Sequence, residues 1–151
     1  MSNHILIVSI GKASKEYRCL MDHWANMIKY KFSEKELVCK KPLSPAQLKT
    51  EEAGMIGQHI IKDSVLVVLD PVGKKITSEE FAKFIDKNIS GAKDITFVIG
   101  GAHGVDKTLV QKADLVLSLS DMTMPHMLAK LVLLEQIYRA QTIIQSHPYH
   151  K

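Results

Sequence analysis

The chain has 151 residues, 46% of them hydrophobic and 24% charged, with 20 Lys and Arg against 16 Asp and Glu. That length supports one sizeable core and is short for two ordinary domains, and no apolar run approaches the roughly 20 residues that span a bilayer. A formal charge of +4 admits a polyanionic partner, yet the lysines are scattered rather than massed, so charge alone does not demand one.

Residues 4–10 form a near-continuous apolar run ending at Gly11, with no basic segment before it and no small-residue cleavage site after it. They read as a first strand, and a cytoplasmic protein is expected. Cys19 and Cys39 stand without a C-x-x-C, which predicts neither a disulfide framework nor a zinc site. Tyr17, Leu20, Met21, Trp24, Met27 and Ile28 recur at helical spacing. Residues 36–39 read as a short second strand. Ser44-Pro45-Ala46-Gln47 has the form of a helix start, with a capping serine, a proline at the first position and a glutamine at the third. Leu48, Met55, Ile56, His59 and Ile60 would carry that helix, whose first part is expected to be mobile.

Residues 64–70 are an unbroken apolar strand, the pattern of burial on both faces inside a parallel sheet. Residues 71–75 are expected to turn out of it. Thr77-Ser78-Glu79-Glu80 is a capping box for a helix carrying Phe81, Phe84, Ile85 and Ile89. A strand over 95–99 ends in Gly100-Gly101, a short helix covers about 106–113, and a fifth strand covers 115–119. A long helix over about 125–145, with Pro125 in its first turn, precedes a tail of the kind that frays unless something ties it down.

Strands alternate with helices, which predicts an α/β fold with a mostly parallel sheet flanked by helices and ligands at the carboxyl ends of its strands. Leu69-Asp70, Gly100-Gly101 and Leu119-Ser120 are three such ends, able to line one crevice. After Leu119 the chain breaks into small polar residues. Backbone groups there lack ladder partners and can hold a polar ligand while Met122 and Met124 cover its apolar parts.

The turn Gly100-Gly101-Ala102-His103-Gly104 matches neither the dinucleotide fingerprint nor the phosphate loop, which argues against a nucleotide-dependent oxidoreductase. The last helix carries apolar residues on more than one side, including Leu128, Leu131, Val132, Leu134 and Tyr138, so part of it is expected to face a second copy. Arg139, four residues after Glu135, reads as a helical ion pair. His147, Tyr149 and His150 are proton-handling or base-stacking groups, and no ligand set for a metal gathers around them. Spacing and composition stop at a crevice with an unnamed ligand.

Taken in order, Leu69-Asp70 with Gly73-Lys74, then Val98-Ile99-Gly100-Gly101 with Gly104, Ser118-x-Ser120-x-x-Thr123-x-Pro125-His126, Tyr138-Arg139-Ala140 and His147-Pro148-Tyr149-His150 form an ordered signature. Over essentially the whole chain it resembles the RlmH family, SPOUT-class enzymes that methylate N3 of a pseudouridine in 23S ribosomal RNA. The resemblance implies a C-terminal trefoil knot, a homodimer, and S-adenosylmethionine held by Leu69, Gly100, Leu119, Ser120, Asp121, Met122, Thr123 and Met124. It implies the assembled ribosome as substrate, with neither membrane nor metal involved. Arg139, Tyr149, His126 and His150 are the candidate catalytic residues, the tail completing the neighbouring protomer's site. Asp121 would pair with a lysine or with the cofactor's amino group. The competing reading is a non-catalytic ribosome-binding or assembly factor, suggested by the basic charge and the lack of an unambiguous general base.

Overall fold

The structure, a computed structural model, describes residues 3–151. In chain order the elements are β1 (His4–Ile10), α1 (Lys15–Ala25), β2 (Lys31–Leu37), α2 (Pro45–Gly57), β3 (Val65–Lys75), α3 (Ser78–Ser90), β4 (Ile95–Ile99), α4 (Lys107–Lys112), β5 (Leu115–Ser118) and α5 (His126–Ile144). The strands form one parallel sheet in the order β2-β1-β4-β3-β5. Alternate residues of β1 serve opposite layers. Ile5 and Ile7 pack with Met21 of α1, Phe81 and Ile85 of α3, and Leu134 and Ile137 of α5. Leu6 and Val8 pack with Ile56 of α2 and Leu109 of α4. Helices thus cover both faces, which is why the inner strands read as unbroken apolar runs.

The helix starts follow local chemistry. Ser44 Oγ accepts from Gln47 N at 3.3 Å while Gln47 Oε1 accepts from Ser44 N at 3.1 Å, and Thr77 and Glu80 repeat the exchange at 3.0 and 2.8 Å. Several boundaries differ from expectation. Met27 and Ile28 lie in a turn beyond α1, and His59 and Ile60 lie beyond α2. Pro125 caps α5 from outside the helix, and Leu119 follows β5 rather than ending it. Residues 71–75 do not turn away. The chain bulges between Leu69 and Lys74, both of which register with Leu117 of β5, and Gly73 crosses so close that a Cβ there would stand 2.6 Å from the Val116 carbonyl oxygen.

The second strand is Lys31–Leu37 rather than 36–39, because it is an edge strand whose inward residues include charges. Glu34 and Glu36 face the α1 and α5 layer and meet Lys130, whose side chain is 0% exposed, at 3.0 and 3.2 Å. Arg18 reaches the same two carboxylates, each at 3.2 Å, and the Ala13 N–H donates to Glu36 at 3.0 Å. Burial pushes the Glu36 carboxyl up, but the Ala13 N–H, Lys130 and Arg18 outweigh it and hold the pKa below the usual range. Its contribution to stability is therefore present at neutral pH and is lost as pH falls through that lowered pKa. Lys130→Met strands two carboxylates against Arg18 alone and should cost about 3 kcal/mol, read as a lower midpoint in urea denaturation.

The helix α5 is covered on one side only. Met127, Lys130, Leu133, Leu134, Ile137, Ala140 and Gln141 are buried in its own chain, and the Gln141 amide bonds Lys29 N at 2.7 Å and Met27 O at 3.1 Å. The face running through Leu128, Val132, Glu135 and Arg139 is exposed or half-buried.

Candidate functional site

The carboxyl ends of β3, β4 and β5 meet the N-terminus of α5 around a cavity of about 680 Å³, within the range of small-molecule sites. β3 supplies Leu69 and then Asp70 and Pro71, β4 supplies Ile99 followed by Gly100 and Gly101, and β5 supplies Leu117 followed by Leu119 and Ser120. Met122, Thr123 and Met124 form one lip, and His126 and Ala129 of α5 form another. Asp121 does not line it. Its carboxylate turns outward to Lys75 Nζ at 2.5 Å, tying the end of β3 to the loop.

Side chains hold that loop's backbone in shape. Ser118 Oγ donates to Ser120 O at 3.0 Å, and Ser120 Oγ accepts from Met122 N at 3.0 Å. Met122, 79% exposed, is the outermost part of the lip. Across the cavity, Gly104 N donates to Gly101 O at 3.0 Å, closing a tight turn. Gly104 has a φ of +84°, and a Cβ on Gly100 would stand 2.7 Å from Val105 Cγ2 and 2.8 Å from the Gly104 carbonyl. The wall is bare backbone because nothing larger fits behind it.

The remaining candidates gather elsewhere. On α5 and the tail, Glu135 accepts from Arg139 Nη2 at 2.7 Å, from Arg139 Nε at 3.0 Å and from the Tyr149 hydroxyl at 2.8 Å. Arg139 Nη1 donates to His150 Nδ1 at 3.0 Å; a guanidinium only donates, so His150 carries its proton on Nε2 and passes it toward Glu79 at 2.9 Å. The Tyr149 ring lies 5.0 Å from Tyr138 and 6.0 Å from Trp24, with the Arg139 guanidinium 4.8 Å away over its face. The tail is thus pinned to its own helix rather than frayed. Burial, with the Glu135 hydrogen bond and charge, pushes the Tyr149 phenol up, and Glu135 raises the Arg139 pKa. Tyr149 stays a donor at neutral pH.

His126 alone among the four catalytic candidates touches the cavity. Arg139 is thirteen residues further along α5, about 20 Å at helical rise. One chain therefore carries a ligand cavity and, separately, a polar cluster. Expectation from the sequence missed Val105 and Ala129 beside the cavity, and also Glu52 behind Gly101 and Lys130 on the inner face of α5. The last two had a legible signal: each is a charged residue on an apolar helical stripe, Leu48-Glu52-Ile56 and Met127-Lys130-Leu134.

A family profile described as "Predicted SPOUT methyltransferase" matches residues 3–150. A ribosomal RNA large subunit methyltransferase H of Acetivibrio thermocellus is 48% identical over 72% of this chain and 69% of its own. The protein of that name from Carboxydothermus hydrogenoformans is 38% identical over 97% of this chain and 99% of its own. Among solved structures, the SpoU methyltransferase AviRb of Streptomyces viridochromogenes in complex with AdoMet superposes with a TM-score of 0.51 at 11% identity, over 93% of this chain and 59% of that one. A probable methylase family protein of Haemophilus influenzae gives 0.59 at 14% identity, over 100% and 72%.

Proposed function

Because the chain belongs to the SPOUT methyltransferase family, we propose that it methylates N3 of a pseudouridine in 23S ribosomal RNA, using S-adenosylmethionine, within the assembled ribosome and as a cytoplasmic homodimer. The observation that carries the reading is the convergence of three consecutive strand ends on one cavity with a bare-backbone wall. When bound, the cofactor supplies an electrophilic methyl group on a sulfonium.

The cavity suits that ligand. Leu69, Leu117, Met124 and Val105 offer apolar surface, and the 118–122 loop and the 100–104 turn offer backbone groups. Leu69, Gly100, Leu119, Ser120, Met122, Thr123 and Met124 would hold the cofactor, with Asp121 shaping the loop through Lys75. These walls would orient the methyl sulfonium for attack, with His126 among the groups lining the same cavity.

An imide N–H gives up its proton reluctantly, so the site needs a group to take the proton and groups to steady the developing negative charge. His126, which lines the cavity, would take the first role. Arg139 and the Tyr149 hydroxyl suit the second, with His150 holding the guanidinium, and in this reading they come from the second protomer. The separation of about 20 Å along α5 supports that division, as does uncovered apolar surface at Leu128, at Met122 and at Val72, which is 90% exposed. The relatives do not favour a purely ribosome-binding role.

Labelled S-adenosylmethionine and ribosomes from cells lacking the modification test the reading. Transfer to the large-subunit RNA is expected. A folded, dimeric protein that transfers nothing would overturn it.

A further inference from the structure

Glu52 is 6% exposed on the inner face of α2. Its Oε2 and Oε1 stand 3.2 and 3.4 Å from where a Cβ on Gly101 would sit, with Ile10 Cγ2 3.1 Å from the same point. Gly101 is a wall of the cavity, so the carboxyl lies one layer of backbone behind the ligand space. It makes no hydrogen bond or ion pair among the described residues. The side chain is largely buried without a hydrogen-bond partner, its oxygens keeping only slight contact with solvent, and the fold holds it beside the site.

Among the charged groups of the described residues around it, only His103 acts on it. From β1 it meets apolar Ile10, and from the turn after β4 it faces His103. On its own helix, Glu51 is engaged by Lys41 at 2.8 Å and Lys49 lies toward Asp106. Burial pushes the Glu52 carboxyl up, against the opposing effect of His103.

We propose that Glu52 is a specificity-determining residue of the cavity, whose carboxylate behind Gly101 makes the site prefer the sulfonium methyl donor to the neutral thioether left after transfer. The inference rests on the methyltransferase reading above. Donor and product differ by one methyl group and one positive charge, so apolar contacts separate them weakly, whereas a fixed negative charge across a thin wall attracts the sulfonium of the donor and finds no such charge on the sulfur of the product. Glu52 thus helps the spent cofactor leave.

Calorimetry with S-adenosylmethionine and S-adenosylhomocysteine, on wild type, Glu52→Gln and His103→Gln from acidic to mildly alkaline pH, tests this. Both ligands share an amino and a carboxyl group, whose titrations cancel in the ratio of their dissociation constants, and His103→Gln removes the imidazole that faces the same carboxyl. In wild type and in His103→Gln the preference for the donor should rise about tenfold as Glu52 ionises, and in Glu52→Gln it should stay about tenfold lower at the alkaline end. The His103→Gln profile carries the test if Glu52→Gln folds poorly. A pH-independent preference in His103→Gln, or equal weakening of both ligands in Glu52→Gln, would show Glu52 to be packing only and overturn the inference. A wild type that binds neither ligand would instead strike the methyltransferase reading, and the inference with it.

Discussion

Gly100→Val is expected to weaken S-adenosylmethionine binding about a thousandfold, roughly 4 kcal/mol, while the protein stays folded. The first added carbon would already meet Val105 Cγ2 at 2.7 Å and the Gly104 carbonyl at 2.8 Å. The Gly104 carbon and oxygen are backbone atoms, each at 2.8 Å, which cannot rotate aside as a side chain does. The turn from 100 to 104 must therefore swing out, taking with it the hydrogen bond between Gly104 and Gly101 and the wall facing the ligand. Overpacking of this kind costs about 2 kcal/mol of stability, a tolerable loss for the fold. Calorimetry and thermal melting separate the two effects. Unchanged cofactor affinity in Gly100→Val would show that this wall is not where the cofactor binds.

Arg139→Ala should retain cofactor affinity and lower kcat about a thousandfold, because the lost group acts on charge that develops only during transfer. The stronger test mixes the two lesions. If each working site combines the cavity of one protomer with the Arg139 cluster of the other, a Gly100→Val subunit paired with an Arg139→Ala subunit regenerates one intact site. Coexpressed and purified by two tags, such mixed dimers should recover activity that neither homodimer has. Inactive mixed dimers with normal assembly would place both halves of the site in one chain. Loss of the dimer in Arg139→Ala would show that the pair with Glu135, at 2.7 Å, serves assembly.

The inner strands and capped helices were legible because their signals are local. An apolar run buried on both faces, or a Ser or Thr followed three residues later by Gln or Glu, means much the same in any chain. β2 was hidden because its inward carboxylates find Lys130, which for Glu36 lies 94 residues away, a partner no local window contains. The strand beyond Asp70 was hidden for a similar reason: Pro71 and Gly73 are ordinary turn residues, and only the neighbouring Val116 and Leu117 make that path an extended one. The three strand ends of the cavity followed from the alternation of elements. The spacing of Arg139 from His126 along the last helix was equally legible, but the pinning of Tyr149 and His150 back onto that helix, through Glu135 and Arg139, was not, since it depends on how the tail folds in space.

The order of strands also governs when the protein becomes competent. Its central pairing joins β1 to β4, whose partners Ile5 and Ile95 are ninety residues apart in the chain, and the cavity needs segments from Leu69 to Ala129. Contacts so distant in sequence form late and slowly. A polypeptide still emerging during its own synthesis therefore has no pocket to fill, and refolding followed by cofactor fluorescence should show binding appear with the final slow phase rather than with early helix formation.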